Sequence, residues 1–588
     1  MATPTNYVVG EYQQAKAPPD QINIIGGNIM PNTVIDNLIV GGGPGGLYTA
    51  WRLANEKASG SGKVTGDIRV YEWGNRLGGR IYTKHFDTGQ FIELGGMRFS
   101  EGHKLVNKTI DELGIRDQVV DFNMVQDRLY FLRGVNVYDS EIPTKGVPYN
   151  TPDNTKSSDD LFAQISDAAT GGNAPNTRRG WCEFFDNARL PSTFDSQVYN
   201  PGDLIGNIGY WNLMFDQLGS EGFQYAADAG GYTSNVINWN AANAIPYNGE
   251  FGADYKYLRL KNGYSTLINA LQAEATNKGV VIQRGMCLET FEWDPANSVF
   301  VCTFQSYSAG EPSGNKTIVK AKKLFLCMPR NSIELIANNS GDDHILKNRD
   351  VKYYVESVIE QPSYKIALLF DTAWWEQSDY PPKLNYTVDG QPVTGFGPTV
   401  TDLPLRQIYY FGNNAPANRP VAYGLLASYD DMWYTQFWQA METNITQRET
   451  SADSDNLQPL SEGSPASGEM IRMLRHQLAQ VHFSDGDISH VPQPIQALFM
   501  DWGRNPYYAG YHAWKAHYSL KDSMQKVRAP YKIVNQNDHT PLYIMGSAYS
   551  NDQAWIEGAF CTADSVLRDF FNITPIVNDP TYPLISGD

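Results

Sequence analysis

Cysteine and basic residues are scarce in this sequence. Five of its 588 residues are cysteine, and no two of them form a C-x-x-C pair. Their odd number and scattered positions indicate reduced thiols rather than a disulfide framework. Lysine and arginine number 46 against 64 aspartate and glutamate residues, which gives a formal net charge of −18. A surface of that sign repels phosphate backbones and anionic lipids, so neither nucleic acid nor a membrane is expected as a partner.

Long apolar runs are also missing. No stretch reaches the ~18 consecutive apolar residues that a membrane span needs. The first 30 residues show no basic segment followed by the apolar run of a secretory signal. This pattern predicts a cytoplasmic protein, although a secreted form that had lost its leader would show the same pattern.

The signatures of several enzyme classes do not occur. The sequence has no G-x-S-x-G, no P-loop and no H-E-x-x-H. His512 and His517 are spaced off a common helical face, which disfavours a metal pair. No metal site is therefore expected.

The pattern that is present begins near residue 33. Residues 37–40 form a short apolar run, residues 41–46 are rich in glycine, and apolar residues then recur with helical period from Leu47. A polar loop leads to Ile68–Glu72, a second run of strand type. This order predicts the β-α-β opening of an open parallel sheet.

Further strand-type runs return much later, at residues 280–283, 298–304, 323–327 and 542–545, and a helix is predicted from about residue 555 to 571. We therefore predict a mixed α/β (α+β) fold. Its Rossmann-like dinucleotide domain is discontinuous, with segments 33–104, 250–330 and 500–575. A helical lobe at 105–249, a mixed-sheet substrate domain at 331–499 and an N-terminal arm at 1–32 complete the prediction.

The glycines of the first turn fit a dinucleotide-binding fingerprint, Gly41-x-Gly43-x-x-Gly46. The strand before it and the helix after it favour this interpretation over a structural glycine turn. Glu72 closes the next strand, where a carboxylate can bind ribose hydroxyls. Beyond it, Arg80 offers a guanidinium that can fork onto a diphosphate, with a solvated basic turn as the alternative.

Three ordered blocks resemble the flavin amine oxidase superfamily and, within it, the L-amino-acid oxidases. They are YEWGNRLGGR at residues 71–80, ELGGMRF at 93–99, and MGSAY with AWIEGA at 545–549 and 554–559. The resemblance implies FAD as the cofactor. Residues 507–512 lack the cysteine that tethers flavin in monoamine oxidases, so FAD is expected to be non-covalent. An amino acid and O2 are the implied small-molecule partners, and homodimers are frequent in this family.

By the same resemblance, Pro44 and Gly45 underlie the diphosphate and residues 95–98 run along the flavin. The implied cofactor residues are Gly41, Gly43, Pro44, Gly45, Gly46, Glu72, Trp73, Gly79, Arg80, Gly95, Gly96, Met97, Arg98, Met286, Gly546, Ser547, Ala554, Trp555 and Ile556. Two residues depart from the family pattern. Ser547 stands where an acid is usual, which puts the ribityl contact in question, and Ala554 stands where a glycine is usual.

Four residues are expected to carry the chemistry. Arg98 matches the family's carboxylate-binding arginine, with an arginine paired to an internal acid as the alternative. Lys365 interrupts an apolar strand segment, and the matching family lysine holds a water near the flavin and assists oxygen reactivity; an edge strand with a solvated amine is the alternative. Tyr429 and Trp555 match the aromatic walls of the substrate site, with ordinary core packing as the alternative.

These residues predict oxidative deamination of an L-amino acid to a 2-oxo acid, ammonia and hydrogen peroxide, by hydride transfer from the α-carbon to flavin N5. Three alternatives stay open. They are an amino-acid 2-monooxygenase that forms an amide, an amine or polyamine oxidase, which Arg98 disfavours, and a flavin-binding protein without turnover. Residues 225–244 are expected to border the entrance, where Asp228 is a candidate for selecting a basic side chain, against a solvated loop carboxylate.

Overall fold

The computed structural model describes residues 34–249, 256–308, 311–442, 463–504 and 506–588. The predicted arm at 1–32 lies outside these residues. In chain order the strands are β1 Val34–Val40, β2 Ile68–Glu72, β3 Thr83–His85, β4 Phe91–Glu93, β5 Phe99–Ser100, β6 Val119–Asp121, β7 Leu129–Leu132, β8 Val135–Tyr138, β9 Tyr257–Leu260, β10 Val281–Arg284, β11 Met286–Asp294, β12 Val299–Ser308, β13 Glu311–Pro312, β14 Thr317–Cys327, β15 Val358–Gln361, β16 Ser363–Phe370, β17 Asn385–Val388, β18 Gln391–Thr394, β19 Thr399–Thr401, β20 Gln407–Gly412, β21 Tyr423–Asp431, β22 Ser464–Pro465, β23 Gln496–Asp501, β24 Tyr511–Trp514 and β25 Leu542–Met545.

The α-helices alternate with these strands over much of the chain. They are α1 Pro44–Ala58, α2 Lys104–Glu112, α3 Ile142–Lys145, α4 Ser158–Thr170, α5 Arg178–Asn187, α6 Tyr210–Ala229, α7 Ala241–Gly249, α8 Ser265–Asn277, α9 Arg330–Asn338, α10 Arg349–Val355, α11 Tyr434–Gln439, α12 Gly468–His482, α13 Leu520–Val527, α14 Pro530–Val534 and α15 Ile556–Phe571. The predicted mixed α/β fold is confirmed. None of the described helices is both long and apolar enough to cross a bilayer.

The first sheet contains the predicted parallel core. Its order is β10-β2-β1-β14-β12-β11, with β13 beside β12 and β25 beside the end of β14. Strands β10, β2, β1, β14 and β25 run parallel to one another, whereas β12 is antiparallel to both of its neighbours, β14 and β11. Helix α1 packs its apolar residues against α8 and α15 in the same hydrophobic core. The predicted completion of the sheet by late segments of the chain is therefore confirmed.

The second sheet has the order β22-β23-β16-β21-β20-β19-β7-β8. Strand β16 lies inside it, hydrogen-bonded to β21 and β23, and all eight of its residues are buried. Lys365 belongs to this strand, so the edge position considered for it is wrong.

Strands β7 and β8 lie within the predicted lobe at 105–249, yet they extend the second sheet. Helices α4, α6 and α7 of that segment share one hydrophobic core with residues of β7 and β8. Residues Val34–Asp588 form one compact unit, and the division into domains stays a prediction.

Candidate active site

A cavity of about 510 Å³ lies at the carboxyl ends of the parallel strands of the first sheet. Gly41 follows β1, Glu72 ends β2, Cys327 ends β14, and Gly546 follows β25; all four line the cavity. Open α/β sheets bind their ligands in this position, in the crevice outside the carboxyl ends of the strands.

In the glycine-rich turn, packing requires a glycine at one position and leaves room for a side chain at another. A Cβ at Gly46 would overlap the carbonyl oxygen of Gly41, so packing within the turn requires that glycine. Gly43 lines the cavity in an extended conformation (φ −76°), and a Cβ there would come no closer than 3.8 Å to Gly79. Helix α1 begins at this point without an acidic residue in its first turn. The free space and the helix N-terminus suit a diphosphate.

Substitution of the two glycines by alanine is expected to separate their roles. Gly46→Ala should lower the free energy of unfolding by about 1–3 kcal/mol because the methyl group overpacks the turn. Gly43→Ala should leave the melting temperature unchanged but weaken FAD binding about 10- to 100-fold. This loss of affinity corresponds to a free-energy cost similar to that given for Gly46→Ala. Thermal unfolding and titration of the apoprotein with FAD measure both effects. FAD affinity unchanged in Gly43→Ala would contradict this assignment.

Arg80 lies half-buried in the cavity wall. Its guanidinium donates to the carbonyl oxygens of Gly510 (2.9 Å) and Ala509 (3.4 Å) and to Oγ of Ser547 (3.4 Å), and it forms no ion pair with a described carboxylate. Burial lowers the pKa of Arg80 to about 10, against an opposing effect of Tyr507. A cation that is desolvated beside a cavity and lacks an acidic partner among the described residues fits an anionic ligand.

Another part of the cavity wall, around Glu72 and Trp73, fits a nucleoside. The Glu72 carboxylate accepts the N–H groups of Gly42 (2.6 Å) and Gly74 (2.7 Å), and burial raises its pKa. Trp73 lines the cavity, and its indole N–H is buried without a hydrogen-bond partner among the described residues. Such an unsatisfied donor is expected where a bound ligand completes a site. Met286 lines the same cavity.

Most of the predicted cofactor residues meet in this cavity. Those that line it are Gly41, Gly43, Pro44, Gly45, Glu72, Trp73, Gly79, Arg80, Gly95, Gly96, Met286, Gly546, Ser547, Ala554, Trp555 and Ile556. Gly46 lies behind the turn, and Met97 and Arg98 line a second cavity instead. Ala554 has φ +69°, in the left-handed region that favours glycine, which explains why a glycine is usual at this position.

The second cavity, of about 90 Å³, adjoins the first. Both are lined by Ile81, Gly95, Gly96, Lys365, Tyr429, Tyr511, Ala554, Trp555 and Ile556. Arg98, Met97, Tyr232, Asn235, Tyr247 and Tyr264 line the second cavity only. All four predicted catalytic residues therefore line the second cavity, and Lys365, Tyr429 and Trp555 also line the first.

The Arg98 side chain is buried, with 6% of the residue exposed. Its guanidinium contacts Sδ of Met124 (3.4 Å) and the hydroxyl of Tyr409 (3.4 Å) and lies 4.4 Å from the centre of the Tyr257 ring. Burial disfavours the charged form, but the oxygens of Tyr409, Tyr232 and Tyr257 outweigh it and raise the pKa of Arg98. It has no ion pair with a described carboxylate, so the alternative of an internal salt bridge finds no support in the described residues.

Lys365 is 2% exposed and donates to the carbonyl oxygens of Gly95 (2.6 Å) and Glu93 (3.4 Å). Its Nζ lies 4.2 Å from the ring centre of Tyr429. Burial lowers the pKa of Lys365 to about 7, with Glu93 opposing the shift and Arg98 adding to it. Burial also raises the pKa of Glu93 to about 7. Strongly shifted pKa values of this kind cluster at functional sites, which makes this wall a candidate.

The two aromatic residues, Tyr429 and Trp555, belong to the wall shared by both cavities. Tyr429 pairs with Lys365 across β21 and β16, and its ring meets that of Tyr232 edge-on at 5.3 Å. Trp555 immediately precedes α15, and its ring meets that of His103 edge-on at 4.8 Å. Both side chains are half-buried and line both cavities, as the aromatic walls of a binding site do.

Asp228 does not border the cavity, and the expectation that it selects a basic side chain is wrong. It is 5% exposed, accepts hydrogen bonds from the Tyr149 hydroxyl (2.8 Å) and from Gln224 (3.0 Å), and pairs with Arg406 at 3.7 Å. Trp239 and Asn240 of the same segment are also buried and line neither cavity.

Sequence reasoning missed the tyrosines around Arg98. Tyr409 comes from the second sheet and Tyr257 from β9, and neither lies in a motif. Tyr232 falls in the segment expected near the entrance but was not singled out. With 35 tyrosines in the chain, no local signal separates these three from the others.

The parallel sheet with its diphosphate turn, joined to a small cavity with a buried arginine and lysine, defines a dinucleotide-dependent enzyme that acts on a small molecule. The profile of flavin-containing amine oxidoreductases matches residues 44–566. The chain therefore belongs to this family. It is a flavin-dependent amine oxidoreductase with FAD as its cofactor and O2 as the partner that the family implies.

Several known proteins are similar over most of their length. Aplysianin-A of Aplysia kurodai is 26% identical over 91% of this chain and 89% of its own. L-amino-acid oxidase 4 of Hebeloma cylindrosporum is 22% identical over 92% and 82%. Among solved structures, putrescine oxidase bound to putrescine superposes with a TM-score of 0.60 at 16% identity, covering 92% of this chain and 99% of that one. This superposition shows that the two proteins share a fold.

Proposed function

We propose that the enzyme oxidises a free L-amino acid to a 2-oxo acid, ammonia and hydrogen peroxide. The observation that carries this proposal is Arg98, a buried guanidinium beside the second cavity without an ion pair to a described carboxylate. A buried cation of this kind is stabilised by an anionic ligand, and the carboxylate of an amino acid fits its planar fork. A simple amine has no such group.

The residues of the chain bind, orient and desolvate the substrate. Bound FAD supplies the acceptor for the two electrons of the α-C–H bond and the route of those electrons to O2. Arg98 fixes one end of the substrate, while Tyr429 and Trp555 restrict its rotation and exclude water. Lys365 holds a proton that it releases near neutral pH. The imine product then hydrolyses in water.

We expect kcat/KM to rise about tenfold per pH unit below the pKa of the substrate ammonium, because the amine must be neutral to assist hydride loss. Initial rates between pH 6 and 10 measure this dependence. Lys365→Met should retain the rise, since the proton leaves the substrate and not the enzyme. A flat profile over this range would count against the mechanism.

Product analysis tests the proposal directly. Incubation with each of the twenty L-amino acids in air should give equimolar 2-oxo acid and peroxide. Amide and CO2 would instead indicate a 2-monooxygenase, which shares the ELGGMRF type of block. Turnover of putrescine or other amines in preference to amino acids would indicate an amine oxidase, the activity named for the superposed putrescine oxidase. Bound flavin without any turnover would leave a binding protein.

A further inference from the structure

Asp431 ends strand β21, two residues after Tyr429, and is fully buried. Its carboxylate accepts four hydrogen bonds: from the backbone N–H groups of Thr233 (3.0 Å) and Ser234 (3.1 Å), from Oγ of Ser234 (2.5 Å) and from the hydroxyl of Tyr511 (2.7 Å). A carboxylate offers about four acceptor sites, so these donors satisfy it fully. The bonds are charge-assisted and therefore stronger than those of a neutral acceptor.

The donors belong to segments of the chain that contribute residues to the cavity walls. Thr233 and Ser234 open the short helical turn Thr233–Val236, which is preceded by Tyr232 and contains Asn235. Tyr232 and Asn235 line the second cavity, and Tyr511 lines both cavities. Through one carboxylate, three distant segments of the chain are joined at the place where Tyr232 meets Tyr429.

We propose that Asp431 is a positioning residue for substrate binding: it holds the Tyr232 turn and Tyr511 against Tyr429, so that the second cavity has the width a bound substrate requires. The inference rests on the proposed function only for the identity of that substrate. Asp431 itself lines neither cavity, so its influence on the substrate passes through the residues it holds.

The neighbouring residue Asp430 provides a matched control. Successive side chains of a strand point to opposite faces, so Asp430 faces away from the cavity. It is 1% exposed, accepts a hydrogen bond from Oγ of Ser428 (2.9 Å) and lines neither cavity. Burial raises the pKa of Asp430 well above its ordinary value, so an asparagine there resembles the neutral acid.

The test compares Asp431→Asn with Asp430→Asn in the FAD-loaded enzyme. Asparagine keeps the shape but turns one oxygen into an NH2 group that meets N–H donors. With the best substrate from a panel of the twenty L-amino acids and putrescine, we expect Asp431→Asn to raise KM about 10- to 100-fold, with kcat changed less than about threefold. FAD content should be unchanged. Asp430→Asn should alter neither constant by more than about twofold.

A second readout needs no substrate. The amides of Thr233 and Ser234 donate to Asp431, so Asp431→Asn should speed their hydrogen exchange while Asp430→Asn does not. Ser234→Ala removes one donor only and should raise KM by a smaller factor, about three- to tenfold. This milder variant keeps the test decisive if Asp431→Asn folds poorly.

The outcomes separate this inference from the proposed function. If putrescine is the better substrate, the amino-acid proposal fails while the KM effect and the exchange of the two amides still test Asp431. An unchanged KM in both Asp431→Asn and Ser234→Ala overturns the positioning role. So does an Asp431→Asn protein that loses FAD and substrate affinity to the same extent, since the effect would then be general and not local to the cavity.

Discussion

Replacement of Arg98 by methionine is expected to lower kcat/KM for the best L-amino-acid substrate by about 10²- to 10⁴-fold. The substitution removes the cation that pairs with the substrate carboxylate, and breaking a buried ion pair costs about 3–5 kcal/mol. Within the described residues Arg98 has no acidic partner, so the variant leaves no described carboxylate stranded in the interior. We therefore expect it to fold and to retain FAD. Steady-state kinetics with peroxide detection measure the loss.

The decarboxylated amine of the same amino acid is the control for this variant. The wild-type enzyme should discriminate strongly against that amine, and Arg98→Met should lose most of this discrimination because the amine never engaged the guanidinium. Equal losses for amino acid and amine would mean that Arg98 supports the cavity without binding the carboxylate.

Replacement of Lys365 by methionine is expected to slow the reaction with oxygen by about 10²- to 10³-fold, the usual effect of removing one preorganised donor. The rate of reduction by the amino acid should change less than about threefold. Lys365 lies in the wall shared by both cavities, with its amine fixed by the carbonyl oxygen of Gly95. Stopped-flow measurement of flavin bleaching without oxygen, and of its recovery with oxygen, separates the two rates.

Lys323 provides the matched lysine for this comparison, since it is half-buried in β14, lines neither cavity and has a pKa lowered by burial. Lys323→Met should leave both rates unchanged.

The pKa of Lys365 is about 7 in the folded protein against about 10.4 in the unfolded chain, so Lys365 binds more protons in the unfolded chain between these two pH values. Stability should therefore rise with pH across this window, and Lys365→Met should flatten that rise. Equal slowing of reduction and oxidation in Lys365→Met would contradict the assignment.

The parts of the site that the sequence predicts are local. The Gly41 to Gly46 turn and Glu72 belong to one β-α-β unit, whose strands and helix have clear periods, so their order alone places them at one sheet end. The start of β14 at Thr317 was missed because its first residues alternate with lysines and face solvent in part. Arg98 was predicted from the resemblance of its block; the structure places it beside the second cavity, and its role there stays a prediction.

The features that the sequence did not place depend on tertiary pairing. Lys365 lies in the middle of its sheet because β21 and β23, which are far apart in sequence, flank β16. Asp228 and Asp431 are both buried acids, yet one pairs with Arg406 away from the cavity and the other joins segments that line it. No period or spacing distinguishes them, because the partners of each come from remote segments.

Anaerobic mixing of the FAD-loaded enzyme with L-amino acids and with their decarboxylated amines tests the central claim most directly. If Arg98 holds a substrate carboxylate, at least one L-amino acid should bleach the flavin absorbance and its decarboxylated amine should do so far more slowly. Bleaching that is faster with the amine than with the amino acid throughout the set would contradict the account.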